Sequence, residues 1–542
     1  MQVTARTGVL EVLALFGVVV AVRAVTLEHQ PVHDEIFHVL AARSWAEDGT
    51  FRIADGEYTR AFVFTAIVGW FYQLFGDSPT VARLPSLLFG SLWVVAVFVW
   101  TRAVAGRTAA WIAGFLFCLA PGGIFLSQFI RFYALHGLVF WLGATGLYLL
   151  LTRRLSLPAT AALAAAVAVC FAFALHLQAT TVIGLAALGA WVAVELASRP
   201  AVRQALLSRR YWPLTAAAAL LVLAGVFFLA QGGTLERLWR SYQNALLWNQ
   251  STQDAFRFYH YLYLEQYPTL WTLLPLGALF VIVRRPRLGL FCVVTFATAL
   301  ILHSFAGTKW ERYFYYAMPF FFVMWGIVLA EMIPPVRALL RRVAERAFQA
   351  PSPRLATWTE WGGLVAVAAF LIASNSAFPE TARTLLTHPK WPEERRNWAA
   401  AAERLKPSID EAAVLVTTNA MMTLYYLGRY DVSINRSDLK DIAPDTEFVA
   451  DPRTGGRMIS TADSMRLVLT CYPDGLFVTN LRGWRHPLFG INDQAADLLV
   501  AQAEEIALPE EWLIRAFRWR HADWDAGRLP PECAALPKIG RG

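Results

Sequence analysis

His33, Asp34 and Glu35 stand together in the stretch HQPVHDEIFHVLAARSW and set two carboxylates side by side. A carboxylate can take a proton from a hydroxyl or stabilise positive charge developing at a reacting carbon. Two of them at a membrane face need a partner: a cation, an arginine or a substrate hydroxyl. The residues that follow have helical spacing, with Phe37, Leu40, Ala41 and Trp45 on one side and Asp34 and His38 one turn apart. The same carboxylates would also cap the start of that helix, where the dipole favours negative charge. The zinc-protease pattern is excluded, because HDEIFH spaces its histidines by five positions and that pattern needs about four. A divalent ion on Asp34 and Glu35 is the remaining metal reading; the chemistry itself requires no metal and no cofactor.

A second group is cationic: Arg60 in GEYTRAF, Arg131 in LSQFIRFYALHG, and Lys309 with Arg312 in HSFAGTKWERYFYYAMPF. Lys309 is the only lysine before residue 390. Taken singly these are interfacial side chains reaching for water, with Tyr313, Tyr315 and Tyr316 as an aromatic belt. As a group they lie on the side where positive charge is normally scarce, and converging cations at an apolar boundary suit a lipid-linked phosphate. In the loop 231–267, Trp239, Tyr242, Trp248, Tyr259 and Tyr261 alternate with Arg240, Asn244, Asn249 and His260. Aromatic faces beside amides bind sugar rings, and an interfacial amphipathic helix has the same composition.

The elements that must position these groups are membrane spans. Of 542 residues 57% are apolar and only 16% charged, with a mean hydropathy of +0.43. That excludes a disordered chain, a disulfide-stapled secreted domain and a cytosolic enzyme. Apolar runs predict about eleven spans, near 8–26, 84–103, 109–126, 134–151, 158–176, 180–197, 213–230, 268–283, 288–304, 313–333 and 361–378. Every connection on the amino-terminal side is basic, so that side faces the cytoplasm, and the net charge of +8 serves topology instead of a nucleic-acid partner. Residues 1–378 form the membrane domain. Within it the outside loop 27–83 contains an interfacial helix over 62–75, and 231–267 is a second large outside loop. Residues 379–542 lie outside as an α/β domain, with helices over 392–405 and 419–427 and strands over 413–417 and 475–479. Cys118, Cys170 and Cys292 fall in spans as packing residues, whereas Cys471 and Cys533 are both outside, which leaves a pairing open.

A first span, a carboxylate pair, then a long outside loop ending in LFGDSPTVARLPSLLFGSL resembles the membrane glycosyltransferases of the GT-C fold. More closely the chain resembles bacterial relatives of the protein O-mannosyltransferases and lipid A aminoarabinose transferases, over residues 8–330 and most strongly over 30–150. The resemblance implies a polytopic inner-membrane enzyme that moves a sugar from a polyprenyl-phosphate donor to an acceptor hydroxyl on the periplasmic face. The acceptor would be a lipid, glycan or protein. Asp34 and Glu35 fall on the family's acidic motif, with Asp34 as base. Arg60 falls where relatives carry a donor-phosphate contact commonly followed by proline, a place Ala61 takes here. Lys309 and Arg312 fall on a basic segment before a late span, and Arg131 with Tyr133 on a polar or aromatic position. His33, Tyr133, Tyr259 and His260 are the expected substrate contacts. The alternatives are a transporter or flippase of lipid-linked sugars, or a ligase or polymerase of whole glycans. Spans nearly free of charge, with Glu195 and Glu331 at inner ends and His176 and His303 at outer ends, favour transfer over transport.

Overall fold

The computed structural model describes the chain except residues 1, 26, 214, 218, 221–226, 228–230, 232–255, 348–352, 389–395, 444–445, 523, 525–528, 535 and 537–542. Most of the expected span 213–230 and the part of the aromatic loop holding Trp239, Tyr242 and Trp248 lie outside the described residues, as does the side chain of His33. The rest folds as two compact units: residues 2–25, 86–231 and 256–388 in one, residues 27–85 and 396–536 in the other.

The first unit is helical. Among the described residues six helices are long and apolar enough to cross a membrane: Pro79–Ala105, Tyr133–Thr152, Leu157–Leu177, Thr181–Ser198, Pro286–Phe305 and Glu311–Ala347. Two bent pairs bring the number to eight, Arg107–Cys118 with Pro121–Gln128 at 62° and Thr357–Ala373 with Ala377–Thr387 at 77°. The expectation of about eleven is therefore not met among the described residues. The run 268–283 is not one span but two short helices, Pro268–Thr272 and Leu274–Arg284, since Pro275 lacks the N–H that would continue the first. Pro121 breaks the run 109–126 in the same way. The break after Ala373 is stitched by buried Asn375, whose Oδ1 accepts from the Leu270 amide at 3.2 Å while its Nδ2 donates to the Leu371 carbonyl at 2.6 Å. In hydrocarbon each freed backbone group needs such a partner.

Small residues let these helices approach. A Cβ on Gly326 would fall 2.7 Å from the Ala109 carbonyl, and one on Gly137 would fall 2.1 Å from the Trp93 ring. Arg23, at the end of the helix Gln2–Arg23, is fully buried and donates to the carbonyls of Gly90 at 2.9 Å and Phe117 at 3.1 Å and to Ser127 Oγ at 2.7 Å. It thereby adds a side-chain donor to a carbonyl in the last turn of Arg107–Cys118.

The second unit is an α/β fold around a seven-stranded sheet. With β1 (Arg52–Ile53) and β2 (Gly56–Glu57) forming a separate hairpin, the sheet strands are β3 (Val414–Thr417), β4 (Val432–Ile434), β5 (Val449–Ala450), β6 (Arg457–Ile459), β7 (Asp474–Asn480), β8 (Glu504–Ile506) and β9 (Ile514–Arg520). Their order is β5-β6-β4-β3-β7-β9-β8; the four central strands are parallel and the edge pairs antiparallel. β3 reads VLVT and is buried on both faces, as a central parallel strand requires. Helices Trp398–Glu411, Ala420–Leu427, Arg436–Ile442, Ala462–Cys471 and Asp493–Gln502 each start from an Asn or Thr whose side chain accepts a first-turn amide. Cys471 and Cys533 form a disulfide with Cα atoms 5.5 Å apart.

The loop 27–83, expected to belong with the membrane domain, packs instead with this α/β fold. Ile36, Phe37 and Ala41 of the helix His33–Asp48, with Ile53 and Tyr58, share one core with Trp398, Leu405, Leu415, Leu476 and Val478. The domain boundary expected at 378/379 falls at 388/389. The helix Phe62–Phe75 turns Phe64, Thr65, Val68, Gly69 and Tyr72 inward and leaves Phe62, Trp70, Leu74 and Phe75 exposed at 43%, 56%, 72% and 62%. Such an apolar stripe, spaced by one turn, suits a helix lying on the bilayer. A nitroxide on Leu74→Cys in proteoliposomes should collide more with dissolved oxygen than with a water-soluble nickel chelate, and one on Glu57→Cys should show the reverse. Equal accessibility of both labels to the nickel chelate would remove the helix from the bilayer.

Candidate active site

The adjacent carboxylates are treated very differently by the fold. Glu35 is fully buried and so is Arg83, whose Nη2 donates to both Glu35 oxygens at 3.2 and 3.1 Å. Arg83 Nη1 donates to the carbonyls of Leu27, His29 and Pro79. Glu35 also accepts from the Val32 amide at 2.9 Å, the reach-back of a third-position glutamate to its N-cap. Asp34, one residue earlier, is half-buried. Sequence reasoning missed Arg83 although it lies in the quoted segment LFGDSPTVARLPSLLFGSL. The available signal was an arginine at the head of an apolar helix, where a buried acid is the partner that makes it affordable.

Around this pair His38 is buried, with Nδ1 hydrogen-bonded to Thr65 Oγ1 at 2.8 Å and its ring edge-on to Tyr58 and Phe64. Farther along the helix Arg43 pairs with Asp77 at 2.5 Å and lies over the Tyr425 ring at 5.0 Å. Burial pushes the hydroxyls of Tyr72 and Tyr425 up, so both remain neutral within the field of Arg43, Asp77 and Arg83. Arg60 is exposed and precedes Ala61, whose φ of +49° lies in the left-handed region. A proline, locked near −65°, cannot take that conformation, so Arg60 is presented by a different backbone from the arginine-proline step of the resembled family.

The other cations lie in the helical unit. Arg131 and Lys309 are buried, at 4% and 1% exposure, and Arg312 is half-buried. Tyr133 lies next to two guanidiniums, Arg312 at 5.8 Å and Arg131 at 6.0 Å from its ring centroid, and Arg312 also covers Trp310 at 5.2 Å and Tyr313 at 5.4 Å. Tyr133 and Tyr313 meet edge-on at 6.4 Å. The fold thus gathers Arg131, Tyr133 and Arg312, which are about 180 residues apart in sequence, on one cluster of ring faces. Tyr259 is buried and donates to the Trp310 carbonyl at 3.0 Å, which fixes the segment between Lys309 and Arg312. His260 is exposed and accepts the Trp271 indole N–H at Nδ1, 3.0 Å, so its proton sits on Nε2 when the ring is neutral. Glu311, also missed from sequence, accepts from Gln266 at 3.4 Å and packs so near Gly122 that a Cβ there would fall 2.3 Å from its Oε1.

Asp34, Glu35 and Arg60 therefore belong to one compact unit, and Lys309, Arg312, Arg131, Tyr133, Tyr259 and His260 to the other. No cluster of three or more His, Cys, Asp or Glu side chains suited to a metal occurs among the described residues. Both Glu35 oxygens are engaged by Arg83, which argues against the divalent-ion reading of the acidic pair.

Removing one member of a buried pair leaves the other charge stranded, a loss of roughly 3–5 kcal/mol. Arg83→Met and Glu35→Gln should each lower the thermal midpoint of the full chain in detergent, and the double variant should recover at least half of that loss. Additive losses would show that the two side chains do not act as a pair.

No family model matches the sequence, and no curated protein matches it. Solved structures do match. ArnT from Cupriavidus metallidurans in the apo state is similar over 97% of this chain and 100% of its own, with a TM-score of 0.63 at 16% identity. The same protein bound to undecaprenyl phosphate gives a TM-score of 0.62 at 16% identity over 95% of this chain and 98% of its own. The archaeal oligosaccharyltransferase AglB from Archaeoglobus fulgidus, in complex with an inhibitory peptide and a dolichol-phosphate, gives 0.55 at 12% identity over 87% of this chain and 69% of its own. The chain is a polytopic helical membrane protein with the GT-C fold of these proteins.

Proposed function

We propose that this protein is a membrane glycosyltransferase that moves a sugar from a polyprenyl-phosphate donor to an acceptor hydroxyl at the periplasmic face of a bacterial inner membrane. The observation that carries the reading is the place of the acidic pair in the fold: Glu35 is buried and ion-paired with Arg83 as part of the frame, and Asp34 is half-buried on the first turn of the same helix. The gathering of Arg131 and Arg312 around Tyr133 supports this cluster as the binder of the anionic leaving group. Solved structures of similar fold, one bound to undecaprenyl phosphate and one in complex with a dolichol-phosphate, support a lipid phosphate as the ligand.

In this reading Asp34 accepts the proton of the acceptor hydroxyl as its oxygen attacks the anomeric carbon. The bond from that carbon to the phosphate oxygen breaks, and the polyprenyl phosphate departs as an anion held by Lys309, Arg312 and Arg131, with Arg60 as a further contact. Glu35 orients the helix instead of reacting. Tyr133, His33 and His260 contact substrate, and Tyr259 supports the cationic segment from behind. Neither nucleotide nor metal takes part in these steps.

Purified protein offered a panel of undecaprenyl-phosphate sugars and hydroxyl acceptors should transfer one of them. Asp34→Asn should reduce turnover about 10²- to 10⁴-fold with donor binding retained; unchanged turnover would remove Asp34 as the base. Lys309→Ala and Arg312→Ala should each weaken donor binding about 10- to 100-fold, the worth of one hydrogen bond to a charged group. Undiminished binding in both would put the phosphate elsewhere.

A further inference from the structure

We infer that the α/β unit is a positioning element for the acidic helix, with Arg453 and Gly56 setting the rotation of His33–Asp48 and hence the aim of Asp34. This rests on Asp34 being the base. Phe37 stands one turn beyond Asp34. Its ring stacks on Tyr58 at 5.0 Å and lies 5.1 Å from the Arg453 guanidinium carbon. Arg453 is itself aimed by Asp451, donating from Nε to Oδ1 at 2.9 Å and from Nη2 to Oδ2 at 2.8 Å. Burial pulls the Arg453 guanidinium down, but the hydrogen bonds and charge of Asp451 outweigh it and keep it protonated.

The backbone completes the seam. The amides of Asp55 and Glu57 donate to the carbonyls of Thr454 and Pro452 at 3.2 and 3.1 Å, which docks the β1–β2 hairpin on the turn 451–456. The approach requires glycine. A Cβ on Gly56 would fall 2.2 Å from the Thr454 nitrogen and 2.3 Å from the Arg453 carbonyl carbon, atoms of the main chain that cannot swing aside. Across the seam Gly455, with φ of +80°, comes so near Asp55 that its own Cβ would fall 2.6 Å from the aspartate Cβ. The far end of the helix is held separately by Arg43 with Asp77 and Tyr425. A helix held at both ends has one rotation. A misplacement of about 1 Å at a reacting group costs on the order of 10²-fold in rate.

The test uses the full-length protein in proteoliposomes, with three readouts: turnover of whichever undecaprenyl-phosphate sugar the wild type uses, affinity for undecaprenyl phosphate itself, and amide hydrogen exchange over residues 33–48. Arg453→Ala and Gly56→Val should speed exchange in that helix and lower turnover about 10- to 100-fold, with affinity changed less than about two-fold. Arg453→Lys, which keeps a cation over Phe37, should recover most of the turnover. Unchanged turnover in Arg453→Ala would overturn the inference, and so would an equal loss of undecaprenyl phosphate affinity, which marks general unfolding. If the wild type transfers no sugar from any donor, the proposed function fails and exchange alone decides the inference. Faster exchange in Arg453→Ala then supports the seam's role, and unchanged exchange overturns it.

Discussion

A fully buried carboxylate is stable only beside a buried cation, and the fold supplies Glu35 with one. Arg83 binds both oxygens of Glu35 while also serving three backbone carbonyls, so it closes the loop 27–85 upon itself as it neutralises the acid. The consequences differ for neighbours in sequence. Glu35 becomes part of the frame, and Asp34, one residue away on the same helix, is half-buried. Because a stranded buried charge is costly, the pair also ties the two roles together: whatever disturbs Arg83 disturbs the helix that carries Asp34.

Arg131 and Arg312 of the helical unit lie against aromatic faces. Arg312 touches three rings and Arg131 two, with Tyr133 common to both. A ring face fixes the direction of a guanidinium through its quadrupole, so Tyr133 aims both arginines at once. Arg83 is fixed differently, by the two oxygens of Glu35 and three backbone carbonyls.

Much of the fold was legible because the responsible signals are local. The runs over 413–417 and 475–479 read as strands and contain β3 and most of β7, the run over 419–427 contains the helix Ala420–Leu427, and an unbroken apolar run marks Leu157–Leu177. The acidic pair and the cations could be named as chemistry, and Tyr133 as their aromatic companion. What stayed hidden depends on partners distant in sequence. Nothing in GEYTRAF announces that Gly56 meets the main chain of Arg453 and Thr454 almost 400 residues on, since a backbone contact leaves only a glycine as its trace. The breaks at Leu273 and Asn375 were likewise invisible to an apolar count, because hydropathy does not register where an amide loses its carbonyl. Tyr259, read as a sugar contact from its aromatic setting, is buried with its hydroxyl on Trp310, a distinction composition cannot make.

The proposed function stands or falls on a lipid-linked phosphate being held by the cationic segment before the late span. The most direct measurement is photolabelling with an undecaprenyl-phosphate analogue that carries a small diazirine beside the phosphate, followed by mass spectrometry of the labelled peptides. Attachment within 308–316, competed away by undecaprenyl phosphate, is the predicted result. Attachment only at other segments, or attachment that undecaprenyl phosphate does not compete away, would contradict it.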